Sequence, residues 1–271
     1  MQRSERADHA CTVHRKDEGG SGNYSMPWDF ALILIVLGVA VPTLGRRRVR
    51  HLIAMPDTTK TDRLSLYAST LAFQWLAAGV ILWRTSSHGI KPAELGLEIF
   101  QPQFTITITV VLSLLLLANQ LFSIKKLASQ PSELHASVPQ LALKLFPRDN
   151  VERLAFFALV ATVSVCEELI YRGFALRAFE DWSHSTLVGI LCSSVLFSLA
   201  HIYQGHRGLI STFIVGVLFA GIRTWTGSLI PPIAAHFVAD LTVGLLAPAR
   251  IRQALESNAS EPEIVGAGDA R

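Results

Sequence analysis

Apolar residues persist for the length of a membrane span at seven places along this chain: 28–44, 64–83, 104–122, 154 to about 176, 186 to about 203, 209–225 and 229–246. Each run holds about 17 to 23 residues, enough for a helix to cross a hydrocarbon layer of about 30 Å. The pattern predicts an all-α, polytopic transmembrane helical bundle of about seven to eight spans. Polar stretches punctuate it. Residues 1–27 read as a polar, disordered tail, rich in Gly and Ser near 19–22. The membrane domain is expected over 28–247, and 248–271 reads as a second polar tail. The segment 138–146 is a candidate for a short interfacial helix, whereas 57–63 and the Pro-punctuated 91–102 are expected to be loops. No internal repeat is visible.

Composition agrees with a bilayer as the main partner: 50% of the 271 residues are hydrophobic, 17% are charged, and the mean hydropathy is +0.38. The first run lies too far from the start for a signal peptide and ends in Arg46, Arg47, Arg48 and Arg50 without a small-residue cleavage site. It is read as a retained span. The net charge of +3 is small and its cations form no continuous stripe, which argues against nucleic acid as a partner. They collect instead in alternate connections. Arg46 to Arg50 with Lys60 and Arg63, then Lys125, Lys126, Lys144, Arg148 and Arg153, contrast with only Arg84 and Lys91 between the second and third spans. By the positive-inside rule the amino terminus is expected outside and the carboxyl terminus inside. Cys11, Cys166 and Cys192 are too few for a disulfide framework and read as small fillers.

Against this apolar background, Glu167, Glu168, Arg172, His201, His236 and Asp240 stand out, because ionisable groups at membrane depth are costly. Glu168 and Arg172 are four apart, acid first, the favourable order for an ion pair along one helix face. Glu167 points about 100° away, and a carboxylate left without a partner in a low dielectric suits a general base. Equally, both acids could sit solvated at a helix end beside Arg172 and Arg177. Phe197 and His201 lie one turn apart on a run with small residues at Ser193, Ser194, Ser198 and Ala200, which permit close helix approach. His201 could share a water with Glu167, or be structural. His236 and Asp240 share a helix face, so the carboxylate could orient the imidazole, or the two could simply satisfy each other. Pro231 and Pro232 should mark that helix's first turn. One difficulty remains at this level: on straight spans Glu167 and His201 differ in depth by roughly 10 Å.

Taken together, E-E-x-x-x-R (Glu167, Glu168, Arg172), F-x-x-x-H (Phe197, His201) and H-x-x-x-D (His236, Asp240) resemble the signature of the CPBP intramembrane proteases. That family includes the eukaryotic Ras-converting CaaX prenyl endopeptidase and bacterial relatives once grouped as abortive-infection or bacteriocin-processing proteins. The likeness covers about 150–246 and is supported by the Arg172-Gly173 step and the run Thr226 to Leu229; the first three spans carry no family signal. It implies an intramembrane endopeptidase in which Glu167 and His201 activate water and His236 and Asp240 support the oxyanion. Glu168 and Arg172 would support the site. The last position is Asn in the eukaryotic enzymes; an ionised Asp240 cannot donate to an oxyanion, so here it would orient His236. The resemblance further implies a peptide or membrane-anchored protein substrate, of CaaX type or not, and a multi-pass protein of a bacterial plasma membrane.

The same residues admit a zinc reading, with Glu167, His201 and His236 as ligands and a metal-bound water as nucleophile. No H-E-x-x-H helix is present and Arg172 would oppose a cation, so hydrolysis without cofactor or metal is the expectation. A proton-coupled transporter would also bury acids and histidines, though with two related halves. A silent scaffold or immunity protein would be expected to have lost part of the motif set.

Overall fold

A computed structural model of the chain describes residues 25–130 and 137–260. Residues 1–24 of the tail expected over 1–27, Cys11 among them, and residues 261–271 of the second polar segment lie outside the described residues. All seven apolar runs are helices, and among the described residues there is no strand. The helices are α1 (Trp28–Ala54), α2 (Lys60–Ser87), α3 (Pro102–Ala128), α4 (Ser137–Leu145), α5 (Asn150–Ser183), α6 (Thr186–Ala200), α7 (Gly205–Thr226) and α8 (Ile230–Ser260). Six are long and apolar enough to cross a membrane; α6, with 15 residues, is shorter. The chain is therefore an integral, multi-pass membrane protein. The short helix expected near 138–146 is α4.

Local sequence sets the helix starts. Thr59 accepts from the Asp62 amide while the Asp62 carboxylate accepts from the Thr59 amide, a reciprocal capping box. The helix consequently begins at Lys60, and the loop expected over 57–63 shrinks to its first three residues. Asp149 caps α5 by accepting from the Glu152 amide. Pro231 and Pro232 occupy the first turn of α8, as their missing amide hydrogens allow. The expected loop over 91–102 contains a single 3-10 turn, Pro92–Leu95.

The two ends of the bundle differ in chemistry. At one, Lys144 Nζ donates to the carbonyls of Ile53, at 2.6 Å, and of Met55 just past the end of α1, Lys60 pairs with Asp149 at 2.7 Å, and Arg148 pairs with Asp57 at 2.9 Å. At the other, Trp28, Trp83, Trp182 and Trp225 are each more than half exposed, as in an interfacial aromatic belt. Between these ends Leu32, Leu76, Ile106, Leu115 and Ile214 point outward, a surface fit for lipid and not for water. Half of the α5 span and 44% of the α8 span are buried, against 17–28% for the other spans. These two helices form the centre, and the ionisable motif residues lie on them and on α6.

The depth difficulty disappears through the length of α5. This helix does not stop near 176 but runs to Ser183 before turning into α6 at Thr186. Glu167 is then 16 residues before the turn and His201 15 residues after it, so antiparallel packing brings them level. Contact between the Tyr171 and Phe197 rings, 5.4 Å apart, fixes that register. Close approach of the two arms relies on Gly189, where a Cβ would stand 2.9 Å from the Leu176 carbonyl oxygen.

Candidate active site

The α-helical hydrogen-bonding of α5 gives way immediately after Glu168 to a π-helical stretch, Leu169–Ala175, with all seven residues buried. Such stretches store local strain and recur at functional positions. Arg172 lies at its centre and is 1% exposed. Its Nη1 donates to Glu168 Oε1 at 2.9 Å, the ion pair expected from the spacing. The guanidinium also stacks over the Phe197 ring, 4.0 Å from its centroid, and lies 5.4 Å from that of Phe219. A cation at this depth is thus held by one carboxylate and two aromatic faces.

His236 comes from the first turns of α8 and meets the same carboxylate. Its Nδ1 lies 2.8 Å from Glu168 Oε1, whereas its Nε2 is 3.5 Å from Asp240 Oδ2. Glu168 is fully buried; the Asp240 side chain is 45% exposed. The shorter, buried contact is the one that orients the ring, so Glu168, 68 residues away in sequence, is the main partner of His236. An ionised carboxylate can only accept, so Nδ1 donates and Nε2 faces Asp240.

Glu167 turns away from this pair, in keeping with the 100° offset. It is not left without a partner: Gln74 Nε2 on α2 donates to its Oε1 at 3.0 Å. The other oxygen, Glu167 Oε2, is buried and has no partner among the described residues, as is true of Gln74 Oε1 and Glu168 Oε2. His201 ends α6, and its Nδ1 lies 2.9 Å from the Phe197 carbonyl oxygen. A carbonyl only accepts, so Nδ1 carries a proton and Nε2 of the neutral ring is left as an acceptor. Tyr203 draws the set together, lying 5.9 Å from His201 between ring centroids and within electrostatic reach of both Glu167 and Asp240.

A turn closes the tryptophan end of this site. Gly96 adopts a left-handed conformation, φ 79°, which a side chain would strain. Its carbonyl accepts from the Leu229 amide at 2.8 Å, and Arg223 donates to the Glu94 carbonyl. Leu95 thereby packs with Cys166, Leu169 and Leu229 just beyond the paired glutamates.

The structure brings Glu168, Arg172, His236 and Phe197 into direct contact, with Asp240 beside them. No direct hydrogen bond joins Glu167 to His201; Phe197 and Tyr203 flank the His201 ring, 4.6 and 5.9 Å away between ring centroids. Sequence reasoning missed Gln74, Tyr203 and Phe219. Gln74 had a usable signal, an amide within the apolar run 64–83, and Tyr203 lies two residues after His201. Of the candidate zinc set Glu167, His201 and His236, both histidines are engaged within the protein through Nδ1. Among the described residues no three His, Cys, Asp or Glu side chains are grouped to hold a metal ion.

Comparison with curated proteins and with solved structures gives no match. A family model, type II CAAX prenyl endopeptidase Rce1-like, matches residues 150–242, which run from the first residue of α5 to just past Asp240. It spans all three ionisable motifs and leaves out α1 to α4. Over that segment, about a third of the chain, the sequence is similar to the Rce1-like type II CAAX prenyl endopeptidases.

Proposed function

We propose that this protein is an intramembrane endopeptidase that hydrolyses a peptide bond in a membrane-associated or CaaX-type substrate, in a bacterial plasma membrane, by activating water with Glu167 and His201. The carrying observation is that Glu167 is held from one side by Gln74 while its second oxygen stays buried and unpartnered. That oxygen is the acceptor available to a water molecule, with His201 Nε2 as a second. The water oxygen attacks the scissile carbonyl carbon as its proton passes to Glu167. His236, fixed by Glu168, presents Nε2 on the Asp240 side; when the ring carries both protons, Nε2–H donates to the oxyanion. Collapse of the tetrahedral intermediate breaks the C–N bond, and the proton is returned to the leaving amine. Arg172 holds Glu168 in its buried place through their 2.9 Å ion pair.

The mechanism takes Glu167 itself as the base and invokes no metal. The test is cleavage of a prenylated CaaX peptide and its unprenylated counterpart by purified protein in detergent or liposomes. Glu167→Ala and His201→Ala should each lower kcat by about 10² to 10⁴-fold, with no effect of a strong chelator. Chelator-sensitive cleavage restored by Zn²⁺ would replace this mechanism with the metal one. Equal behaviour of wild type and both variants across a broad peptide set would remove the assignment.

A further inference from the structure

The outward stripe of α1 changes character along its length. Leu32, Val36 and Val39 are exposed and apolar; beyond the π-helical turn Val36–Ala40, Thr43, Arg46, Arg47 and Arg50 are exposed and share a face at helical spacing. None of the three arginines has an ion-pair partner among the described residues, whereas Arg48, on another face, donates to Ser69 Oγ at 2.6 Å. They line an open cavity of about 260 Å³ whose remaining walls are Pro42, Thr43 and Ile202. Three convergent cations would repel one another if nothing neutralised them. The cavity is too small for a whole drug-sized ligand but fits a head group whose chains lie elsewhere.

We propose that this cavity binds the phosphate of an anionic phospholipid, whose acyl chains run along the exposed apolar stripe above it. The match is one of charge and of amphiphile polarity: hydrocarbon against Val36 and Val39, phosphate among Arg46, Arg47 and Arg50. At about 1.5 Å per residue the two regions are separated by roughly the depth from upper acyl chain to head group. Guanidinium forks suit phosphate oxygens better than ammonium groups do. Ile202 is the residue next to His201, so the bound lipid would lie against the turn that ends α6. The inference is independent of the proposed reaction, because it rests on α1, outside the segment matched by the family.

The full-length protein is titrated in detergent with dioleoyl phosphatidylglycerol and, separately, dioleoyl phosphatidylcholine, and bound lipid is counted by native mass spectrometry. Wild type should retain the anionic lipid over the zwitterionic one. Arg46→Gln, Arg47→Gln and Arg50→Gln combined should weaken phosphatidylglycerol binding by about tenfold or more, while Arg250→Gln with Arg252→Gln, exposed basic residues on α8, should leave it unchanged. Equal loss in both variants would reduce the effect to diffuse charge and overturn the site. Equal retention of the two lipids by wild type would overturn it without recourse to any variant. Displacement of phosphatidylglycerol by excess inorganic phosphate would show a free-anion site and overturn the lipid assignment.

Discussion

In the proposed mechanism a buried carboxylate acts as base and has to be aimed without being neutralised, a part the amide of Gln74 can play for Glu167. It donates one hydrogen bond to Oε1 and brings no charge. Gln74→Leu leaves that oxygen buried without its donor, a loss of about 1–3 kcal/mol. If the loss falls on the transition state, kcat should drop about tenfold to a hundredfold with little change in KM. Steady-state cleavage of the CaaX peptide measures the split; an unchanged kcat would mean that α2 has no part in positioning the base. At this scale the sequence showed what lies along one helix and little across helices. The Glu168–Arg172 pair was legible because i and i+4 share a face. The Glu168–His236 bond was not, since spacing could propose only Asp240 as the partner of His236, and that contact is the longer one, 3.5 Å against 2.8 Å.

Among elements, the hairpin of α5 and α6 decides where His201 stands. Its closeness depends on Gly189, so Gly189→Ala forces a Cβ to within 2.9 Å of a backbone oxygen that cannot rotate away. Such overpacking costs about 1–3 kcal/mol, and thermal unfolding in detergent should show a lower midpoint together with reduced turnover as His201 shifts. Gly221→Ala on α7 is the contrast: nothing lies within 4 Å of its Cβ, so the variant should match or exceed wild-type stability through helix propensity. A second element-scale test concerns the start of α5. The Lys60 ion pair holds the Asp149 carboxyl below its usual value, and Arg148 does the same for Asp57. A depressed carboxyl contributes stability above its unfolded value of about 3.9, and loses it as pH falls through the lower folded value. Asp149→Asn keeps the cap but removes the charge, so its stability deficit should be fully present at pH 6 and shrink progressively as pH falls below about 4. Hydropathy located all seven spans but missed the π-helical stretches Val36–Ala40 and Leu169–Ala175 and the overrun of α5 to Ser183. Residues 169–176 are buried on every side, so the apolar pattern there carries no period from which to read a change of winding or an end.

Across the whole molecule, the tryptophan end and the basic end are built by different means. The first is closed by a turn over the π-helix, the second by a polar cluster that joins helices far apart in sequence. At the centre of that cluster Arg63 and Glu152, 4% and 0% exposed, form a two-pronged pair at 2.6 and 3.1 Å. Arg63 also donates to the Thr58 carbonyl at 2.6 Å, and the Arg148 amide donates to Glu152 at 2.6 Å. The pair therefore ties the starts of α2 and α5 to the segments leading into both. Charge counting assigned Arg63 to a loop and a topological role, because sequence could not show that Glu152, 89 residues on, would meet it. Burial changes the energetics: attraction between buried charges is largely spent on desolvation, but a partner left alone keeps the whole penalty. Arg63→Met should thus destabilise the bundle by about 3–5 kcal/mol, Glu152→Leu by a similar amount, and the double variant by much less than their sum. A thermal or denaturant cycle on all four proteins in the same detergent measures the coupling. Additive losses would mean that the two side chains are solvated separately, and that the basic end is held by α4 and its Lys144 contacts instead.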